Sequence, residues 1–148
     1  MPIRATAPKD ASVTTVNQIV ADNIRACRQL GRLEQADVAE RMTALGHPWH
    51  RATVSETERS RRNVTVSELM ALTLVLHTTV AQLLDPRGPA GRTAVRPIFL
   101  SFDPDAPSRM MLSAEQLAML VTPAAGRAEI TWNEDRIDLS NFTDGATS

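Results

Sequence analysis

The chain has 148 residues, 43% of them hydrophobic, and a formal net charge of -1. That length suits one ordinary domain, or a small domain with an accessory segment, and it allows a sizeable core. No apolar run approaches roughly 18 residues and the first positions carry no hydrophobic signal core, so the expectation is a soluble, cytoplasmic protein without a membrane segment.

A single cysteine, Cys27, excludes an internal disulfide, and no Cys-x-x-Cys pair offers a zinc or redox site. Charge is unevenly spread. Residues 1 to 91 carry 11 Arg or Lys against 9 Asp or Glu, while residues 92 to 148 carry 5 against 8. The basic excess therefore lies in the first part of the chain.

Residues 1 to 14 mix Pro, Ala, Thr and Ser without periodicity and read as a flexible arm. Apolar residues then recur at helical spacing in five short segments. The first, about 16 to 30, aligns Val20, Ile24 and Cys27; the second, about 34 to 44, aligns Val38, Ala39 and Met42. A third, about 51 to 58, is anchored by Val54. The fourth opens on a Thr65-Val66-Ser67-Glu68 capping box and buries Leu69, Leu72 and Leu76. The fifth opens on Thr79 and Gln82, a second capping box, and ends before Pro86.

Three prolines and two glycines between 85 and 97 end this helical region, which predicts a helical domain over 15 to 86 and a linker over 87 to 97. Residues 98 to 148 predict a small α+β region. It has strand formers around Ile98-Phe99-Leu100, a helix from Ser113 carrying Leu117, Met119 and Leu120, and a hairpin turning at Asn133-Glu134-Asp135. In that hairpin Ile130, Trp132, Ile137 and Leu139 share one face. So small a unit is marginal alone, and its apolar surface favours pairing with a second copy or with a protein partner.

The order of apolar, small and cap residues from 33 to 84 resembles the helix-turn-helix domain of the Cro/cI-type (XRE-like) transcriptional regulators. The resemblance implies a mainly α fold: a five-helix lambda-repressor-like DNA-binding domain, followed by the small α+β region. It also implies double-stranded DNA as partner, with the 50 to 58 helix in the major groove, and a homodimeric repressor. A different reading is a protein-interaction module, antitoxin-like or a regulatory adaptor, acting through 98 to 148 with secondary DNA contact.

Roles follow residue by residue from the resemblance. Gln35 matches the Gln that opens the second helix and binds phosphate, although it also reads as a solvated residue. Ala39 matches the small residue between the motif helices, and Val54 the branched aliphatic that locks the third helix into the core. Arg28 and Glu58 match an Arg and a Glu that pair structurally, a fork on a carboxylate. Outward positions on the third helix assign base contacts to Arg51, Ala52, Ser55 and Glu56. Arg51 suits guanine and Ala52 a thymine methyl. Glu56 accepts from cytosine, or excludes wrong sites by repelling phosphates. His50 and the loop residues Arg59, Arg61, Arg62 and Asn63 are expected at phosphates, where they set register without reading sequence.

Several positions depart from the family pattern. The loop from Thr43 to Trp49 is longer than the usual tight turn; Trp49 itself fits a hydrophobic staple ahead of the third helix. His50 stands for a Ser or Thr cap, Ser60 for Gly, Val64 for Pro, and His77 for the Gly that follows the fourth helix. His47 and His50 lack a third ligand nearby in sequence, so no metal is expected. No Ser/His/Asp order, P-loop or HExxH motif is present, so neither enzyme activity nor a cofactor is expected.

Overall fold

A computed structural model describes residues 12 to 89, 98 to 101, 111 to 121, 127 to 133 and 136 to 142. The chain forms two compact units. One comprises Val16–Thr93; the other joins Met1–Thr15 to Ala94–Ser148. The fold is mainly helical, with a small strand region.

In the first unit the helices are α1 (Val16–Leu30), α2 (Gln35–Ala44), α3 (Arg51–Glu58), α4 (Val66–Leu76) and α5 (Val80–Leu83). Their limits follow from local chemistry. The Thr65 hydroxyl accepts from the Glu68 amide at 3.1 Å and the Glu68 carboxylate accepts from the Thr65 amide at 2.9 Å, which answers two orphan donors at the start of α4. Thr79 and Gln82 repeat the device at α5. His77 ends α4 at φ 52°, a left-handed cap. Between α2 and α3 the chain turns through Gly46 at φ 89°, and the His47 amide returns to the Met42 carbonyl.

Ile24, Val38, Met42, Val54, Leu72 and Leu83 are fully buried at the centre of this unit. Leu69 is half-buried and packs against that core. Cys27 is buried, and burial pushes its thiol pKa up, against a smaller lowering by a hydrogen bond with Thr78. Asn23 is buried on α1 with its amide nitrogen within bonding reach of the carbonyls of Gln82, Leu83 and Asp85. It thereby fastens the end of α5, whose last carbonyls lack helical partners.

The second unit contains β1 (Ser12–Thr15), β2 (Ile98–Ser101), β3 (Met111–Ser113), α6 (Ala114–Val121), β4 (Arg127–Asn133) and β5 (Arg136–Phe142). β1 pairs parallel to β2, with Val13 opposite Phe99, and β2 pairs antiparallel to β3. Residues 12 to 14 of the segment expected as a flexible arm thus lie in a paired strand. Val13, Thr14 and Thr15 are β-branched and suit a pleated strand, and their partner lies beyond the whole helical unit in sequence. Residues 1 to 11 fall outside the described residues, as do 90 to 97 of the expected linker. Residues 85 to 89 belong to the helical unit, where the Arg87 amide donates to the Asp85 carboxylate at 2.9 Å.

β4 and β5 form an antiparallel hairpin with Ile130 opposite Leu139 and Trp132 opposite Ile137. Phe99, Leu100, Leu112, Leu117 and Leu139 are buried, whereas Leu120 and Ile130 are exposed. The Ser113 amide donates to the Gln116 side chain at 2.9 Å, capping α6. No helix among the described residues is long and apolar enough to cross a membrane.

Candidate nucleic-acid interface

α3 is two-faced. Val54, Thr57 and Glu58 are buried, while Arg51 and Ala52 are exposed and Ser55 and Glu56 half-exposed. The Thr57 hydroxyl is satisfied by the Thr53 carbonyl at 2.7 Å, so its burial leaves no orphan. His50 precedes the helix as an exposed N-cap, and its amide donates to the Thr53 hydroxyl at 3.1 Å.

Arg28 on α1 meets Glu58 at the end of α3. Its Nε and Nη2 donate to the two carboxylate oxygens at 2.5 and 3.1 Å, and its Nη1 donates to the Leu33 carbonyl at 3.0 Å. Only 12% of the Arg28 side chain and 4% of the Glu58 side chain are exposed. This pair fixes the end of α3 against α1 and against the turn into α2. Gln35, the first residue of α2, completes the cluster by donating to Glu58 Oε2 at 3.1 Å.

A second polar cluster holds the other side of α3. Glu68 is buried, and its Oε1 accepts from the Trp49 indole at 3.2 Å and from the Arg62 guanidinium at 2.8 Å. The Arg62 guanidinium also donates to the Thr57 hydroxyl at 3.2 Å and lies 5.0 Å over the Trp49 ring. Burial alone would raise the Glu68 pKa. The hydrogen bonds from Arg62, the Thr65 amide and Trp49 outweigh it and hold the carboxyl below its usual value.

Arg62, expected at a phosphate, instead has Nη1 and Nη2 bonded within the fold and its flat face over Trp49. Its neighbours face outward. Arg59 caps α3 and is exposed, Ser60 sits at φ 56°, and Arg61 is exposed with a loose 3.9 Å contact to Glu56. So long a contact between exposed groups is worth little and leaves Arg61 available. Asn63 is exposed and its side-chain oxygen accepts from Asn17 at 2.9 Å.

The outward side of α3 opens on a concavity of about 490 Å³. α3 and its cap supply Arg51, Ala52, Ser55, Glu58 and Arg59 to the lining, and Gln35 closes one side from α2. α1 adds Arg28 and Arg25. Of the expected base-contact residues, Glu56 lies outside this lining. Neither Arg25 nor the Trp49, Arg62 and Glu68 cluster was legible as part of the site. Trp49 and Glu68 each have a local signal, a staple and a capping box, but their contact joins residues 19 apart in sequence. Among the described residues no group of three His, Cys, Asp or Glu side chains suits a metal ion.

Control protein C.SmaI of Serratia marcescens is 35% identical to this chain over 79 residues, spanning 53% of this chain and 88% of the relative. The chain belongs to the helix-turn-helix regulator family. Membership makes it a regulator and not an enzyme. No family model matches the chain. Among solved structures, the clp gene regulator ClgR from C. glutamicum is 22% identical, with a TM-score of 0.44 over 55% of this chain and 96% of that one. A hypothetical transcription factor NHTF from Neisseria is 27% identical, with a TM-score of 0.43 over 52% of this chain and 80% of that one.

Proposed function

We propose that this regulator is a cytoplasmic, dimeric DNA-binding repressor that lays α3 in the major groove, with residues 16 to 93 acting as a lambda-repressor-like domain. The observation that carries the reading is the two-faced α3. Its inner side is tied down by Val54 and by two polar clusters, so its outer side is presented without freedom to roll. Arg51 then reads guanine through its fork, Ala52 meets a thymine methyl, and Ser55 and Glu56 complete the readout. Gln35, His50, Arg59, Arg61 and Asn63 fix register on phosphates. Arg28, Glu58 and Arg62 hold the reading helix in place. Two copies place their α3 helices about 34 Å apart on two half-sites, which compensates for the modest basic excess of one domain.

Selection of bound sequences from a random duplex pool, followed by a salt-titrated gel shift on selected and random duplexes, tests this. The wild-type chain is expected to prefer the selected duplex, and Arg51→Ala to lose about 1 to 3 kcal/mol of that preference with its circular dichroism unchanged. A chain that retains all duplexes equally, or none, contradicts the reading.

A further inference from the structure

Arg25 and Arg28 are three residues apart on α1, so both side chains leave the helix on the same side. Arg28 is engaged with Glu58, whereas Arg25 is exposed and makes no ion pair among the described residues. Both line the concavity beside α3, where Arg51 and Arg59 bring two further guanidiniums and Glu58 brings the sole carboxylate, already answered by Arg28. Three uncompensated positive charges therefore border one open hollow. A single small anion would leave much of its roughly 490 Å³ empty, whereas a length of nucleic-acid backbone spans it.

We propose that Arg25 is a phosphate clamp supplied by α1, which holds a phosphodiester of the strand flanking the bases that α3 reads; this rests on the DNA-binding reading above. Arg59, at the end of α3, lines the same hollow, so a phosphodiester held there meets guanidiniums from two helices. Arg25 reads no base. Its contact neutralises one phosphate and releases the counterion condensed there.

The test compares full-length wild type, Arg25→Ala and Arg25→Lys on selected and random duplexes across a salt series. Arg25→Ala is expected to weaken both duplexes by the same factor, up to about eightfold between 1 M and 0.1 M salt, and to flatten the log-log salt slope by about 0.9. Arg25→Lys, which keeps the charge, is expected to retain the slope. Methylphosphonate placed singly along the selected duplex should weaken wild type at one or two flanking positions, and Arg25→Ala should be indifferent there.

Wild-type affinity and slope in Arg25→Ala would overturn the clamp while leaving the DNA-binding reading intact. A preference relaxed at one base pair would make Arg25 a reader and overturn it equally. If sodium phosphate displaces duplex beyond chloride of equal ionic strength, and Arg25→Ala abolishes that excess, the hollow is a free-anion site. A wild-type chain that binds no duplex takes both readings down together.

Discussion

Residues 16 to 89 bury a continuous apolar cluster around Ile24, Met42 and Leu72, and among the described residues every buried polar side chain is answered. The described part of the other unit rests on a few buried residues from four elements, with Val13, Leu120 and Ile130 left exposed. The helical unit is also assembled from neighbours in sequence, with caps that define α2 to α5. The α+β unit instead joins strand β1 to a partner on the far side of the helical unit. Burial and locality together make the first unit a rigid frame for the proposed reading helix, and they suit the second to the proposed association.

Removing the second unit is the strongest way to break this comparison. A fragment of residues 16 to 93 is expected to unfold cooperatively and to sediment as a monomer at micromolar concentration. It should bind a two-half-site duplex on the order of a hundredfold more weakly than the whole chain, because the second copy is no longer linked. A fragment that dimerises as well as the whole chain would move the contact to α4, where Val66, Met70 and Leu74 form an exposed apolar stripe.

Within the helical unit, Arg28→Ala and Glu58→Ala are each expected to cost about 3 to 5 kcal/mol, since each leaves a nearly buried charge without its partner. A double-mutant cycle in urea should return a coupling well above error. Coupling near zero would mean that the cluster does not fasten α3 to α1.

Acid should act on the helical unit through Glu68. Its folded pKa is depressed, so the stability it contributes is present above the ordinary value of 4.5 and is lost as pH falls through the folded value. Asp85 acts with the same sign: burial would raise its pKa, and the hydrogen bonds from Arg87 more than reverse that. Urea midpoints from pH 7 to pH 3 should fall less steeply in Glu68→Gln than in wild type. Equal slopes would show that the carboxylate contributes nothing specific.

The smallest expected effect is a gain. Ser60 and His77 occupy left-handed backbone at φ 56° and 52°. Glycine at either position removes the Cβ strain but adds unfolded-chain entropy, for a net stabilisation of about 0.5 to 1 kcal/mol. Urea midpoints of Ser60→Gly and His77→Gly decide it.

Helix limits were legible because caps and breakers act within a few residues: Thr65 with Glu68, Thr79 with Gln82. The outward face of α3 followed from periodicity about Val54. What sequence hid is tertiary. Arg62 reads as one more cation in a basic loop until the left-handed turn at Ser60 and the buried Glu68 carboxylate draw it inward. Asn23 has no local signature, since its partners are backbone carbonyls near the end of α5. β1 is four residues long and runs directly into α1, so its strand character rests on Ile98 to Ser101, which local pattern cannot reach.

The parallel pairing of β1 with β2 also orders events during synthesis. Ser12 to Thr15 are made before their partner strand, which follows only after the entire helical unit. Domains fold as units while the chain grows, so the helices can close before Ile98 appears. β1 waits as an open edge throughout. When β2 arrives, residues 16 to 89 between the strands form a folded body and not a random coil, so the entropy of bringing them together is no longer that of a long flexible loop. The helical unit is in this sense a folded insertion between two strands that pair with each other.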